Sequence, residues 1–296
     1  MHRMTPTEAH SYCTKKAKGS GSNFYYSFLF LPRSRREAMY AVYSFCHEVD
    51  DTVDHSPPGS DPHKQLAMWR QEVAAIYTGI PSNPVTISLA EHVRRLGIPE
   101  NYLQELINGM EMDLTFTRYQ TFKELYPYCY RVASMVGLIC LKVFDTRDDR
   151  AKDYAINLGL AFQLTNILRD VGVDANRNRI YLPQEDFTRF GYSEKELLAK
   201  DHSPQFVELM RFQCRRARDF YRKAQAVYDS LSRRDRHSLV AAEIMRVVYS
   251  RILDRIESLN YQVFGPRISL PSASRLGIAA IFWGRDFIRN RLGSFG

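Results

Sequence analysis

The sequence predicts an all-α protein. Apolar residues recur mostly at intervals of three and four, and the alternating runs typical of strands are scarce. Leu, Ala, Arg, Glu and Met, which favour helices, are plentiful. Breaks rich in Pro, Gly and Ser separate the periodic segments and predict loops between helices. These breaks lie at Ser56–Gly59, Gly79–Pro84, Gly97–Pro99, Leu182–Pro183 and Gly265–Pro266.

The length and composition predict one globular domain over residues 1–296. Hydrophobic residues make up 45% of the 296 residues, which is enough to fill a substantial core. None of the breaks is long or polar enough to link two domains. The sequence also contains no repeat of fixed period and no low-complexity tract.

The charge of the chain narrows the choice of partner only slightly. Lys and Arg outnumber Asp and Glu by 41 to 33, which gives a formal net charge of +8. The positive charges are scattered and form no basic stripe, so a nucleic-acid partner is not expected. An anionic membrane surface and a phosphorylated substrate would both suit this balance.

The cysteines and the apolar stretches predict a cytoplasmic protein without a transmembrane segment. The five cysteines lack C-x-x-C spacing, and no secretory signal is evident. The longest apolar stretches, Val136–Phe144 and Leu276–Trp283, are shorter than the ~20 residues of a spanning helix. The C-terminal stretch 276–296 mixes apolar residues with arginines. It fits either a helix resting on the inner face of the membrane or a terminal core helix.

The segment Arg36–Asp54 predicts an amphipathic helix with an acidic face. Its apolar stripe comprises Ala38, Val42, Phe45, Val49 and Val53. A separate stripe carries Tyr43, His47, Asp50 and Asp54. Asp50 and Asp54 stack one turn apart with Cβ atoms ~5–6 Å from each other, so both carboxylates can reach hard cations along that face. An isolated acidic pair is as typical of a solvated helix face, so this segment alone leaves both interpretations open.

The segment Tyr154–Asp174 repeats this arrangement with other residues. Its apolar stripe comprises Leu160, Leu164, Ile167 and Val171, and its polar stripe comprises Gln163, Asn166, Asp170 and Asp174. If the two helices face each other, four carboxylates converge and need divalent cations and a polyanion between them. Mg²⁺ bridging a diphosphate would meet that need. A structural role for Gln163 and Asn166 is the alternative, and the basic loop Asn176–Pro183 follows directly.

These segments resemble the squalene/phytoene synthase family of head-to-head trans-prenyltransferases. The family's two aspartate-rich signatures are matched by Tyr43–Asp54 and by Asn166–Asp174 followed by Arg179–Pro183. Phe24–Phe28 and Tyr126–Gly137 also match, and the resemblance covers residues 10–275. Within the family, Ser20–Pro32 and Cys46–Asp51 are most similar to the presqualene diphosphate synthases of hopanoid pathways.

The resemblance implies an isoprenoid synthase helical bundle around a central cavity. It also implies Mg²⁺-dependent condensation of two farnesyl diphosphates to presqualene diphosphate, with Mn²⁺ as a substitute ion. Squalene, dehydrosqualene and phytoene synthases are alternatives, and a non-catalytic prenyl-binding or assembly factor is a minor one. NADPH is not expected, because Gly19-Ser20-Gly21 follows no strand and lacks the third glycine of a dinucleotide motif. A separate reductase or oxidase would then act downstream.

The resemblance also assigns roles to individual residues. It assigns Mg²⁺ to Asp50, Asp51, Asp54, Asn166, Asp170 and Asp174. It assigns the substrate diphosphates to Asn23, His47, Gln163, Asn166, Arg169, Arg179, Tyr249 and Arg267. The catalytic set comprises Asp50, Asp54, Asp170, Asp174, Tyr43 and Tyr128. Family members often carry Ser at the position of Asn23 and Arg at the position of His47.

Overall fold

The computed structural model describes residues 4–55, 57 and 59–292, with residues 23 and 285–292 described by their backbone alone. Within these ranges the chain is helical, as predicted, and contains no strand. A single isolated β-bridge joins Arg118 and Ile180 in the described residues. The predicted breaks fall between helices, except that Pro84 is the first residue of α5. Ser56 and Pro58 lie outside the described residues.

The described residues form fifteen α-helices and one π-helical turn. In chain order these are α1 (Pro6–Gly19), α2 (Asn23–Phe28), α3 (Arg33–Asp54), α4 (Pro62–Thr78), α5 (Pro84–Leu96), α6 (Glu100–Thr115), α7 (Phe122–Cys129), the π-helical turn (Tyr130–Ser134), α8 (Met135–Phe144), α9 (Ala151–Asn176), α10 (Gln184–Phe190), α11 (Glu194–Leu198), α12 (Pro204–Ser230), α13 (Arg233–Ser238), α14 (Val240–Ser258) and α15 (Ser272–Leu292).

Local sequence explains where many of these helices begin and end. The Thr5 side chain and Glu8 form a reciprocal capping box at the start of α1, and Asp61 caps α4. Proline occupies the first turn of α1, α4, α5 and α12, where its missing N–H is tolerated. Gly97 ends α5 in the left-handed conformation at φ 59°, which glycine adopts without strain.

Helix α9 lies at the centre of the bundle and packs against α8, α12, α14 and the π-helical turn. Its predicted apolar stripe, comprising Leu160, Leu164, Ile167 and Val171, is buried. On α3, Ala38, Val42, Phe45 and Val49 of the predicted stripe are also buried, and Val53 is half-buried. The buried apolar side chains form one connected cluster that extends from Cys13 to Ala279.

Helices α7 and α8 are joined through the π-helical turn into one continuous run, Phe122–Phe144. By length and composition alone this run could cross a membrane. Half of its apolar window is buried inside the protein, and it packs against α6 and α9. These contacts are typical of a core helix.

The C-terminal stretch forms part of α15, which packs on α14 and α2. Ile278 and Ala279 are buried in this contact, whereas Leu276 and Ile281 are exposed. The packing fits the core-helix alternative, and the exposed apolar residues form an edge along the same helix. Residues 293–296 lie outside the described residues.

Candidate active site

The helices enclose a cavity of about 930 Å³. Its walls are built mainly from α2, α3, α6, α8, α9 and α14, with a contribution from the segment before α15. Polar and charged side chains gather at one end, which we call the acidic mouth. The acidic mouth comprises Asp50, Asp54, Asp113, Asp170, Asp174, Arg177, Arg179 and Arg267. Behind the acidic mouth the walls are mostly apolar.

The two aspartate pairs predicted from the sequence face the same cavity. Asp50 and Asp54 come from the last turns of α3, and Asp170 and Asp174 come from the last turns of α9. Burial, together with the neighbouring carboxylates, raises the pKa of Asp50 to about 7. Burial and the Asp170 carboxylate likewise raise the pKa of Asp174 to about 7. Burial is the larger cause for both groups, and repulsion between neighbouring carboxylates adds to it.

In each aspartate pair, the other carboxylate, that of Asp54 or Asp170, is neutralised by arginines. Asp54 accepts hydrogen bonds from Arg177 and Arg179, and we call these three residues the Asp54 cluster. The two arginines lie where α3 ends. Their positive charges offset the unfavourable interaction of carboxylates with the dipole at a helix C-terminus.

Asp170 is held by two arginines in the same way. Arg267 donates to both carboxylate oxygens at 3.0 Å, and Arg169 Nε donates to Oδ1 at 2.9 Å. We call Asp170, Arg169 and Arg267 the Asp170 cluster. Burial alone would raise the pKa of Asp170, but the hydrogen bonds from both arginines outweigh it and lower the pKa.

A fifth carboxylate, Asp113 of α6, joins the acidic mouth between two tyrosines. Tyr128 donates to Asp113 Oδ2 at 3.0 Å, and Tyr181 donates to Oδ1 at 2.7 Å. All three side chains are buried. Burial raises the pKa of Asp113 to about 6 in spite of these hydrogen bonds.

The polar stripe of α9 continues from the aspartates into the cavity through Asn166 and Gln163. Asn166 Nδ2 lies 3.4 Å from Gln163 Oε1. The buried Oδ1 atom of Asn166 has no hydrogen-bond partner among the described residues. Such an orphaned acceptor is costly unless an ion, a water or a substrate satisfies it.

The donor set at the acidic mouth is suited to a hard cation such as Mg²⁺, since it consists of carboxylate and amide oxygens. In the described part of the chain, no three Asp, Glu, His or Cys side chains converge closely enough to hold an ion by themselves. Mg²⁺ commonly uses one or two carboxylates and completes its shell with phosphate oxygens and water. The residues therefore fit an ion that binds together with a diphosphate.

Aromatic rings form the wall immediately behind the acidic mouth. The rings of Phe162 and Tyr249 stack with centroids 4.5 Å apart. Phe24 lies 6.1 Å from Tyr43 and 6.4 Å from Tyr249. The structure thus places Tyr43 and Tyr249 in the cavity wall, as the sequence predicted.

Asp51 is the assigned metal residue that the structure does not bring to the cavity. One residue beyond Asp50, it is rotated by about 100° around the helix axis. Its carboxylate lies 2.8 Å from His47 Nδ1 and 3.2 Å from His55 Nδ1. His47 itself lines the cavity. The side chain of Asn23 lies outside the described residues.

Sequence reasoning missed Asp113 and Tyr181. The signal for Asp113 is a single acidic residue on the buried face of α6, which otherwise carries Leu103, Leu106, Ile107 and Met110. Tyr181 lies inside the basic loop Asn176–Pro183, but a tyrosine between Ile180 and Leu182 is typical of ordinary core packing. Neither residue belongs to a spaced pair, so neither was found.

An all-helical fold with aspartates converging at the mouth of a deep apolar cavity defines a prenyltransferase of the isoprenoid synthase class. The model of the squalene/phytoene synthase family matches residues 17–274. The chain belongs to this family.

Similar proteins of known name agree with this assignment. The phytoene synthase of Arthrospira platensis is 36% identical over 285 residues, covering 92% of this chain and 91% of the relative. The 15-cis-phytoene synthase of Synechocystis sp. is 36% identical over 288 residues, covering 93% of this chain and 85% of the relative.

Solved structures show the same fold. A dehydrosqualene synthase in complex with ligand superposes with a TM-score of 0.82 at 27% identity, covering 96% of this chain and 98% of that chain. The squalene synthase HpnC from Alicyclobacillus acidocaldarius superposes with a TM-score of 0.77 at 25% identity, covering 86% of this chain and 94% of that chain.

Proposed function

We propose that the protein condenses two farnesyl diphosphates head to head, forming presqualene diphosphate and releasing one diphosphate. The observation that carries this proposal is the acidic mouth, where carboxylates from α3, α6 and α9 face one another at the end of a long apolar cavity. A polyanionic head and an apolar tail would each find a complementary surface in that cavity. Membership of the squalene/phytoene synthase family supports the same reaction class.

Asp50, Asp54, Asp170, Asp174 and Asn166 are the residues that would hold Mg²⁺, or Mn²⁺ as its substitute. When bound, the ion neutralises negative charge on the leaving diphosphate, which lowers the barrier to ionisation. The raised pKa values of Asp50 and Asp174 support this assignment, because a divalent cation would stabilise their charged forms.

Arginines at the acidic mouth would bind the diphosphate oxygens. Arg177, Arg179 and Arg267 lie within the cavity lining, and each now pairs with an aspartate. Guanidinium groups bind phosphate in the same forked geometry that they use for carboxylate. Arg169 is buried against Asp170, so we assign it to positioning that aspartate, while Gln163 and His47 face the cavity as further hydrogen-bonding groups.

The aromatic wall would protect and stabilise the prenyl cation. Tyr43, Tyr128, Phe162 and Tyr249 line the cavity next to the acidic mouth. Their rings exclude water and present the negative face of the π-system to positive charge. The double bond of the second chain attacks C1 of the first, and loss of a proton closes the cyclopropane. The released diphosphate is the proposed proton acceptor, since it lies beside the cation.

Phytoene synthesis from geranylgeranyl diphosphate is the second candidate, and the identity to two cyanobacterial phytoene synthases favours it. Squalene and dehydrosqualene would require the cyclopropyl product to react further. We propose that the reaction ends at the cyclopropyl diphosphate and uses no NADPH. A separate reductase or oxidase would then consume this product.

We place the protein in the cytoplasm, with peripheral contact to the inner face of the membrane. All five cysteines are free thiols, as a reducing compartment would keep them. The exposed apolar edge of α15, which includes Leu276 and Ile281, supports contact with the lipid that carries substrate and product.

The test is incubation of the purified protein with Mg²⁺ and either farnesyl or geranylgeranyl diphosphate, with and without NADPH. Products are identified by mass spectrometry before and after phosphatase treatment. We expect a C30 diphosphate that yields presqualene alcohol in both conditions. Squalene formed only with NADPH, dehydrosqualene formed without it, or turnover of geranylgeranyl diphosphate alone would assign a sister activity. Absence of turnover would favour a prenyl-binding factor.

A further inference from the structure

Asp113 joins three separate segments of the chain at the cavity wall. It lies on α6, whereas Tyr128 belongs to α7 and Tyr181 lies between α9 and α10. One phenol donates to each of its two carboxylate oxygens, at 3.0 and 2.7 Å. The two phenol rings also stack, with centroids 5.0 Å apart and an angle of 20° between their planes. We call these three residues the Asp113 cluster, and all three line the cavity.

Packing alone does not account for the carboxylate in this cluster. Asp113 is 7% exposed, and a buried carboxylate is costly because it loses its hydration. The rings around it are already packed, since the ring centroid of Tyr119 lies 6.0 Å from that of Tyr128 and 6.1 Å from that of Tyr181. An apolar side chain could fill the same space without this cost. The carboxylate therefore indicates that the positions of the two phenols matter.

Tyr181 belongs to the basic loop, Asn176–Pro183, which also carries both arginines of the Asp54 cluster. The backbone of this loop is tied to the segment after α6, where Ile180 N donates to Thr117 O at 2.9 Å. Side chains two residues apart on extended backbone point to the same side. Arg179 and Tyr181 accordingly both line the cavity. A fixed Tyr181 ring therefore helps to fix the Arg179 guanidinium at the acidic mouth.

Asp113 also sets the direction of the Tyr128 phenol. A phenol carries one proton, and Tyr128 engages that proton in its hydrogen bond to Asp113. The lone pairs of the phenol oxygen remain, and lone pairs aimed at a developing positive charge stabilise that charge. Asparagine at position 113 would offer one acceptor oxygen in place of two, so one of the two phenols would lose its acceptor.

We infer that Asp113 is a positioning residue for the condensation. It holds the Tyr128 phenol in the cavity wall and, through Tyr181, it holds Arg179 at the acidic mouth. This inference rests on the proposed function and adds to it a residue that belongs to neither aspartate pair. The effect of Asp113 passes through the two tyrosines rather than through contact with a reacting atom.

Asp113→Asn tests the inference through kinetics. With farnesyl diphosphate and Mg²⁺ we expect kcat/KM to fall by about 10- to 100-fold, since small misplacements of positioned groups have effects of this size. Asp235→Asn is the matched control, because Asp235 is 4% exposed, accepts hydrogen bonds from Arg147 N and Ser232 Oγ at 2.8 Å, and does not line the cavity. It should lower stability and leave kcat/KM nearly unchanged.

A double-mutant cycle separates positioning from general destabilisation. Tyr128→Phe removes the hydroxyl through which Asp113 acts, so adding Asp113→Asn to it should cost much less than Asp113→Asn costs alone. Any effect of Asp235→Asn should instead multiply with that of Tyr128→Phe. Where Asp113→Asn does not fold, Tyr128→Phe and Tyr181→Phe form an equivalent cycle, because both hydroxyls act through the same carboxylate.

Binding of inorganic diphosphate gives a measurement that does not depend on turnover. In calorimetric titrations with Mg²⁺ present, Asp113→Asn and Tyr181→Phe should each weaken diphosphate binding by about five- to tenfold, the equivalent of one hydrogen bond. Tyr128→Phe should leave this affinity unchanged, because it keeps both the ring and the contact of Asp113 with Tyr181.

The outcomes separate the inference from the proposed function. A loss of kcat/KM in Asp113→Asn that is no greater than in Asp235→Asn, or that multiplies with Tyr128→Phe, overturns the role of Asp113 toward Tyr128. Unchanged diphosphate affinity in Asp113→Asn and Tyr181→Phe overturns its role toward the basic loop. No turnover of any prenyl diphosphate by the unaltered protein overturns the proposed condensation together with the role toward Tyr128. The titration then still decides the role toward the loop.

Discussion

At the scale of single residues, Asp50 and Asp174 hold protons at a pH where most carboxyl groups are charged. Burial raises the pKa of each to about 7. An aspartate in an unfolded chain has a pKa of about 4. Between these values the folded, metal-free protein binds more protons than the unfolded chain. The contribution of these two groups to the free energy of unfolding is therefore largest below about pH 4. It is lost as the pH rises through about 7.

Asp50→Asn should remove the contribution of Asp50 to this pH dependence. We expect the metal-free variant to be more stable than the unaltered protein at pH 8 by roughly 2 kcal/mol, since the amide carries no charge to desolvate. At pH 4 the gain should vanish. Denaturant unfolding in EDTA at both pH values measures the difference. The same variant should lose activity by about a hundredfold or more, because it lacks a carboxylate that we propose as a metal ligand.

Asp51→Asn provides the matched control on the same helix. Its carboxylate lies beside His47 and His55 and outside the cavity lining, so most of the activity should remain. A loss as complete as that of Asp50→Asn would show that Asp51 reaches the metal after all.

Sequence reasoning identified the residues that occur as spaced pairs. Asp50 with Asp54 and Asp170 with Asp174 were found because carboxylates at i and i+4 share a helix face. Asp113 was missed because its partner Tyr181 lies 68 residues away. Such a contact depends on how helices pack, which local periodicity does not encode.

At the scale of secondary-structure elements, the π-helical turn lies in close contact with α9. A Cβ atom placed on Gly159 of α9 would lie 2.6 Å from Cα of Ser134. That contact is with backbone, which cannot move aside without separating the helices. Nothing in the sequence Tyr130–Ser134 distinguishes it from ordinary helix, so the turn could not have been predicted.

Gly159→Ala should therefore destabilise the protein by about 2–3 kcal/mol, as overpacking of a core does. Gly277→Ala on α15 is the matched control, since its Cβ would meet nothing within 4 Å. We expect that variant to be about as stable as the unaltered protein or up to about 1 kcal/mol more stable, because alanine favours helix. Urea unfolding of both variants measures the contrast, and equal stabilities would refute the close approach.

Helices α1 and α5 meet at a pair of histidines that should make their contact sensitive to acid. The rings of His10 and His92 lie 5.1 Å apart, and His92 is buried. Burial lowers the pKa of His92 to about 4. Because the unfolded residue has a pKa of about 6.5, its stabilising contribution is complete above that pH and is lost as the pH falls towards 4.

His92→Gln should reduce the loss of stability between pH 6.5 and 4.5 by about 1–2 kcal/mol, because glutamine has no proton to gain. His63→Gln, at a side chain that is 58% exposed, should leave the loss unchanged. Unfolding curves at the two pH values provide the measurement. An undiminished acid dependence in His92→Gln would place its origin in other groups.

At the scale of the whole molecule, one connected core joins residues near both ends of the described chain, from Cys13 to Ala279. The all-α class was predictable because amphipathic periodicity reports directly on which helix faces are buried. Organisation as one domain over residues 1–296 remains a prediction that the continuous core supports. The cavity itself was not predictable, since its walls come from helices that are distant in the sequence.

The Asp54 and Asp170 clusters have a consequence for the whole catalytic cycle. Mg²⁺ on its own meets carboxylates that are already neutralised, and a diphosphate on its own meets arginines that are already engaged. When both bind, we expect Mg²⁺ to replace the arginines as partner of the carboxylates, and the diphosphate to replace the carboxylates as partner of the arginines. Binding of the two ligands should therefore be positively cooperative and, by thermodynamic necessity, reciprocal.

Calorimetric titration should show that inorganic diphosphate increases the affinity for Mg²⁺ by about 5- to 150-fold. Arg267→Gln, which leaves Asp170 with one arginine, should strengthen binding of Mg²⁺ alone and diminish this cooperativity. Independent binding of the two ligands would show that the ion pairs are incidental. With cooperative binding, the aspartates and arginines act as counter-ions to one another until a substrate supplies replacements for both. We therefore expect a site that holds only one of the two ligands not to generate a reactive cation.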